Sequence, residues 1–170
     1  GNAGENAAEE EPTVDDDASD PPEDEDYADD PSGAPVLVYM MNQDYVEVIS
    51  DVSNPDGTYQ EQLIYDAVVF VSAERRLPSE FGEEAATIAA LAGVAEEALT
   101  IYPYELPELK SYPAFRAEYM LGENEDSRYC VDVLIHIDGW DYLFHTETSL
   151  DWMEDYSDIV EDWISTLTLF

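Results

Sequence analysis

The dipeptide Asp138-Gly139 stands between two alternating runs, "YCVDVLIHI" and "WDYLFHTET", and no other feature restricts the fold as much. A two-residue hairpin loop needs positive φ at both central residues, which aspartate tolerates and glycine adopts freely, so the pair predicts a tight β-hairpin with a type I′ turn. Loop length then fixes the register. Ile137 faces Trp140, Ile135 faces Tyr142, Val133 faces Phe144 and Val131 faces Thr146. That face is apolar almost to its end and is the one expected against the core.

The opposite face pairs His136 with Asp141, Leu134 with Leu143 and Asp132 with His145. Both histidines of the chain therefore share a face, but four residue steps separate them, about 13 Å at the usual rise of a strand. One zinc ion, with ligands near ~2 Å, cannot span that distance, so no metal site and no cofactor is expected. A cross-strand aspartate favours the protonated imidazole, which makes His136–Asp141 and Asp132–His145 candidate pH-responsive pairs. A Ser-His-Asp reading would need a nucleophile, and no GxSxG motif is present, so no catalytic residue is assigned. Cys130 is the sole cysteine, which excludes an intrachain disulfide and a thiolate cluster. Leu134, Leu143, Cys130 and Met120 make this second face too apolar to be fully wet, so either a loop covers it or it is partly a binding surface.

Before the hairpin, Ala34 to Met41 reads as a short apolar strand and Tyr45 to Ser50 as an alternating one. The turn cluster at 53–58 is spaced like a calcium loop, but Val52 and Leu63 would be its first and twelfth ligands, and the match fails. Leu63 to Ser72 reads as one largely buried strand. A helix is predicted from Ser79, its N-cap, to Leu99, with Phe81, Ala85, Ile88, Ala92, Ala95 and Leu99 in one stripe. Ala114 to Leu121 is another strand. A second amphipathic helix runs from Ser149 to Leu167, with Trp152, Tyr156, Ile159, Trp163 and Leu167 directed to the core. These elements predict an α+β fold: an antiparallel sheet with a C-terminal three-stranded meander, packed by two amphipathic helices in an α/β/α sandwich-like arrangement.

Between the first helix and the meander lies "TIYPYELPELKSYP", whose prolines hold it extended. Tyr102, Tyr104, Lys110 and Tyr112 form its candidate binding surface, because prolines reduce the entropy lost on binding and tyrosines supply amphipathic contact area. The competing reading is a rigid crossover whose tyrosines pack on the sheet.

Charge bounds the partners. The chain has 42 acidic residues and five basic ones, a net −37, and residues 1–33 hold −14 of it with no Lys or Arg. With Val14 and Tyr27 as its only large apolar residues, that segment cannot bury enough surface to offset its ordering entropy, and it is expected to be a disordered acidic tether. Residues 34–170 then form a single globular domain. A surface this acidic repels a phosphate backbone, so nucleic acid is not expected as a partner. Chance carboxylate pairs abound among so many acidic groups, and none is read as a glycosidase pair. The start at Gly1 rather than Met leads us to expect processing upstream, with a lipid anchor as the only link to a membrane.

From "ELKSYPAFRAEYML" through "RYCVDVLIHIDGWDYLFHTETSLDWMEDYSDIVEDWISTL" the chain resembles the C-terminal half of the PsbP/Mog1-like α/β/α sandwich of small bacterial lipoproteins. The likeness is carried by a loop before the strand that opens Ala114-Phe115-Arg116, then a hairpin, then a terminal helix ending in Ile164-x-Thr166-Leu167. It covers about a third of the chain, and the N-terminal half lacks the early Pro-x-x-Trp element. The resemblance implies a non-enzymatic, extracytoplasmic domain at a bacterial cell surface and transfers no active-site residue. The expected function is accordingly a lipid-anchored binding or interaction module for an unknown protein, peptide or small ligand. The alternatives are an acidic extracytoplasmic hydrolase and an accessory structural subunit. If 1–33 is a tether, a chain truncated after Gly33 unfolds in a single transition at the melting temperature of the full chain, as calorimetry would record.

Overall fold

A computed structural model of the chain describes residues 33–78, 83–123 and 126–170. The expected tether lies outside the described residues except for Gly33, and so do Ser79 and Phe81. Residues 35–54 and 58–170 form one compact unit. Of the other unit, Gly33, Ala34 and the turn residues Pro55–Gly57 are described, and Gly33 and Gly57 take φ of 64° and 95°.

The elements are β1 (Leu37–Val38), β2 (Val46–Ser53), β3 (Tyr59–Tyr65), β4 (Val69–Arg76), α1 (Glu84–Ala92), β5 (Thr100–Pro103), β6 (Ala114–Leu121), β7 (Arg128–Ile137), β8 (Trp140–Ser149), α2 (Leu150–Ser165) and β9 (Thr168–Leu169). Strands β2 to β8 make an antiparallel sheet in the order β2-β3-β4-β8-β7-β6-β5. The hairpin at its centre has the register read from the Asp-Gly turn, from Ile137 opposite Trp140 to Asp132 opposite His145. Asp138 and Gly139 have φ of 46° and 85°, the positive values that a type I′ loop demands.

Each face of the sheet carries one helix, so the fold is α+β with an α/β/α layering. On the first face Val133, Ile135, Tyr142 and Phe144 pack with Val160, Trp163, Ile164 and Leu167, all at 5% exposure or less. On the second, Ile88 of α1 closes over Ala117, Tyr119, Cys130, Leu134 and Leu143. The apolar part of that face is therefore covered by a helix. Met120 does not belong to it: in β6 it stands opposite Tyr129 on the α2 side and is 42% exposed.

Several expectations need correction. The run 63–72 is two strands, because Asp66 and Ala67 both take positive φ (54° and 57°) and the Val68 N–H closes onto the Tyr65 carbonyl at 2.9 Å. Neither residue is glycine or asparagine, so the apolar run hid the turn; it is held by the Asp66 N–H on the Tyr45 carbonyl and by the Tyr156 hydroxyl on the Asp66 carboxylate. Helix α1 stops at Ala92, since Gly93 (φ 74°) turns left-handed and returns its N–H to the Ala89 carbonyl. Ala95 and Leu99 therefore flank a short 3-10 turn, Glu96–Ala98, instead of extending the stripe. In α2, Trp152 is 48% exposed and meets Tyr156 edge-on, so the buried stripe begins further along the helix.

Of the first apolar run, Leu37 and Val38 form a strand, which pairs with β9. Hydrogen bonds between Val36 and Phe170 in both directions extend that clip. Next to it the Pro35 carbonyl accepts from Arg75 Nη1 at 2.7 Å and from the Tyr142 hydroxyl at 2.6 Å. Arg75, 1% exposed, lies between the rings of Tyr59 and Trp140, at 5.0 and 5.1 Å from their centroids. Aromatic faces stabilise a guanidinium that burial would otherwise penalise.

The left-handed conformation at Ala67 costs an L-residue on the order of 1–2 kcal/mol. Ala67→Gly is therefore expected to stabilise the protein by about 0.5–1 kcal/mol, once the extra freedom of glycine in the unfolded chain is counted, as equilibrium urea unfolding would show.

Candidate functional site

The hairpin register sets four side chains in a square on the α1 face. Cys130 and Asp132 come from β7, His145 and Glu147 from β8, with Cys130 directly opposite Glu147 and Asp132 directly opposite His145. The neighbouring strands place Tyr119 of β6 beside Cys130 and Ser72 of β4 beside His145.

The square is tightly wired. His145 Nδ1 contacts Asp132 Oδ1, and its Nε2 lies 2.7 Å from Glu147 Oε2. The Tyr119 hydroxyl donates to Asp132 Oδ2 at 2.7 Å, and Arg128 Nε donates to Glu147 Oε1 at 2.9 Å. An ionised carboxylate only accepts, so a ring bonded to one at each nitrogen carries both protons. Burial alone would lower the His145 pKa, but the hydrogen bonds to Asp132 and Glu147 outweigh it and raise it to about 9. The same contact with His145 holds Glu147 below the usual carboxylate range. Burial, reinforced by the charges of Glu147 and Asp132, pushes the Cys130 thiol up.

Ser72 meets the requirement for a serine near the Asp132–His145 pair, yet no catalytic triad results. Both ring nitrogens are occupied by carboxylates, so the imidazole has no lone pair to take the serine proton. What the square does offer is donor atoms. A sulfur of Cys130, a ring nitrogen of His145 and a carboxylate oxygen of Glu147 lie within 4.8 Å of one another. The expectation of no metal site compared the two histidines alone, and the register also placed Cys130 opposite Glu147.

His136 is separate from this group. Its Nδ1 is 2.7 Å from Asp141 Oδ1 and its Nε2 is 3.1 Å from Glu84 Oε2, which ties the first turn of α1 to the sheet. The ring is about a third exposed, whereas His145 is 13% exposed.

The tyrosine-rich crossover is anchored by Leu106 and Leu109, both buried. Tyr102, exposed on the edge strand β5, donates its hydroxyl to Glu118 Oε2 at 3.0 Å. Tyr104 lies under the Arg116 guanidinium, 5.5 Å from its ring centroid, and Tyr112 is half-buried against the main core. Arg116 in turn grips Glu161 of α2 with two nitrogens. Burial opposes ionisation of Glu118, but hydrogen bonds from Tyr129 and Tyr102 and the charge of Arg116 hold its pKa down. Tyr102 and Tyr104 thus engage side chains of β6, of which Arg116 ties the sheet to α2, and Lys110 stays exposed.

A cleft of about 420 Å³ opens where the ends of β3 and β4 meet α1. Asn54, Thr58, Gln60, Glu74, Arg76 and Thr87 give it polar groups, Leu77, Pro78 and Leu91 give it apolar ones, and the stacked pair Tyr59 and Arg75 also borders it. Glu74, 7% exposed, accepts from Arg76 and from Gln60 Nε2. In the basic doublet Arg75-Arg76, strand alternation sends the two side chains to opposite faces, Arg75 towards the Tyr59 and Trp140 rings and Arg76 towards Glu74 in the cleft.

No family model matches the chain, and no curated protein matches it in sequence. Solved structures to which it is similar include a Pseudomonas aeruginosa protein of unknown function, at 13% identity and a TM-score of 0.48, covering 80% of this chain and 97% of the other. Another is LpqN of Mycobacterium tuberculosis, described as involved in cell envelope biogenesis, at 11% identity and TM-score 0.44, covering 80% and 84%. A third is the cyanobacterial PsbP of Synechocystis, at 13% and 0.43, covering 79% and 93%.

The His145 network sets a pH dependence. The folded-state pKa of about 9 lies above the ordinary value of 6.5, so this contribution to stability is complete below about pH 6.5 and is lost as the pH rises through 9. In the presence of a chelator, the wild-type stability is expected to fall over that window by on the order of 2–3 kcal/mol more than that of His145→Gln, which denaturant titrations at several pH values would measure.

Proposed function

We propose that the chain is a non-enzymatic binding module that works outside the cytoplasm, held at a membrane by an N-terminal lipid anchor and the acidic segment 1–33. The cleft beside α1 carries the binding part of this reading. It is concave, it has apolar walls at Leu77 and Leu91 that are 55% and 37% exposed, and it presents the side chains of Gln60 and Arg76 for orientation. Pre-formed pockets with a few placed polar groups and an apolar lining suit small ligands and peptide segments. The partner would seat an apolar group against the two leucines and a polar or anionic group beside Arg76.

A hydrolase would need two carboxylates, or a nucleophile and a base, facing the same space. Among the described lining residues Glu74 is the one carboxylate, and it is already bonded to Arg76 and Gln60. The open cleft also speaks against a purely structural subunit, for which a filled surface would suffice. Support for an extracytoplasmic tether comes from composition: 14 acidic residues and two large apolar ones in 33 positions make a hydrated, self-repelling spacer. No helix among the described residues is long and apolar enough to cross a membrane.

Titration of the isotope-labelled protein with a library of short peptides and metabolite-sized fragments tests the reading. Binders are expected to shift amide resonances at 58–60, 74–77 and 87–91, and Leu91→Asp should weaken them by at least about tenfold, the cost of one lost apolar contact. Shifts confined to Tyr102, Tyr104, Lys110 and Tyr112 would move the site to the crossover, and recovery of the native protein in the cytoplasmic fraction would sink the tether.

A further inference from the structure

We infer that Cys130, His145 and Glu147 form a zinc site, with Asp132 holding the histidine and Arg128 holding the glutamate. The donor set is a thiolate, an imidazole and a carboxylate, the ligand types that suit Zn²⁺. The three donors already converge within 4.8 Å, and the ligand separations of a tetrahedral zinc centre are about 3.3–3.8 Å. The β7–β8 ladder fixes the backbone positions, so the remaining approach falls to rotation of the three side chains.

The surroundings orient each ligand for this task. Asp132 holds His145 Nδ1, the Tyr119 hydroxyl fixes Asp132 from behind, and Nε2, hydrogen-bonded to Glu147 Oε2, becomes the metal-facing nitrogen when the ion displaces its proton. Carboxylate–histidine–metal chains of this kind set the tautomer and raise ligand basicity. Arg128 takes one oxygen of Glu147 and leaves Oε2 turned to the histidine. Cys130 is fully buried, while the His145 and Glu147 side chains are 13% and 21% exposed, so an ion enters from their side. Three protein ligands leave a fourth position for water or for a donor atom of a partner.

Charge balance selects a divalent ion. With the thiol and the imidazolium protonated, Cys130, Asp132, His145, Glu147 and Arg128 sum to zero. Zn²⁺ bound to thiolate and neutral imidazole displaces one proton from each, and the five groups with the ion again sum to zero. The exchange leaves no uncompensated charge in a largely buried site, whereas a monovalent ion would leave one. This site uses none of the cleft residues and stands or falls independently of the binding reading.

The test uses the full 170-residue chain, stripped of metal, with excess Mg²⁺ to occupy the acidic surface. Zn²⁺ should bind with one-to-one stoichiometry and release two protons, measured by calorimetry in buffers of different ionisation enthalpy. Co²⁺ in its place should show the near-ultraviolet charge-transfer band of a cobalt thiolate. Cys130→Ser should abolish that band and weaken zinc binding at least about 100-fold, whereas Asp132→Asn should weaken it about 10–100-fold and keep the band. Circular dichroism of both variants controls for folding, and the cobalt spectrum of the unaltered protein stands even if a variant fails to fold. A cobalt complex without a thiolate band, or zinc affinity unchanged in folded Cys130→Ser, would overturn the assignment.

Discussion

The two-residue turn at Asp138-Gly139 is the constraint on which the rest depends. It fixes the pairing of β7 with β8, the central pair of the sheet, and through them the faces of β4 and β6. Side chains alternate with a period of two, so a slip of one residue would exchange every inward and outward group. Val133, Ile135, Tyr142 and Phe144 would then leave α2 for the α1 side, and His145 with its two carboxylates would be forced beneath Trp163. The cost of stranding those charges makes the register unambiguous. The same pairing that builds the hydrophobic layer therefore also builds the polar square.

How much was legible in the sequence follows from the strength of the local signals. The hairpin register, helix α2 within two residues at either end, and the meander were readable because strict alternation or a 3.6 period ran over ten or more residues. The β3–β4 turn was not, because Asp66-Ala67 contains no glycine and sits inside an apolar run. Its conformation is imposed by Tyr45 and Tyr156, which are distant in sequence. Helix α1 was drawn too long because Gly93 was read as an interior residue of an alanine-rich stretch, when it is the stop signal. Cys130 and Glu147 were already paired by the register, but among 42 acidic residues one glutamate opposite a cysteine carries little weight until Arg128 and His145 are seen to engage both of its oxygens.

The scarce cations show how so acidic a chain stays folded. Arg75 lies between two aromatic rings, Arg116 clamps α2 through Glu161, and Arg128 and His145 neutralise the square. Arg128 and His145 stand where the sheet would otherwise hold unbalanced negative charge. The surplus of carboxylates is left at the surface, where self-repulsion is felt most at low ionic strength and is screened by salt within about 10 Å.

The clip between β1 and β9 also decides how the fold bears load. Its strands run antiparallel and end at Val36 and Phe170, so a force drawing those two residues apart peels the bonds in turn instead of shearing them together. A pull on the chain ahead of Pro35 meets something firmer first. The Pro35 carbonyl is gripped by Arg75 and Tyr142, which are rooted in β4 and β8 at the middle of the sheet. Drag on the body of the protein would thus be passed into its stiffest strands through one carbonyl oxygen, and the weaker zipper behind it would stay closed.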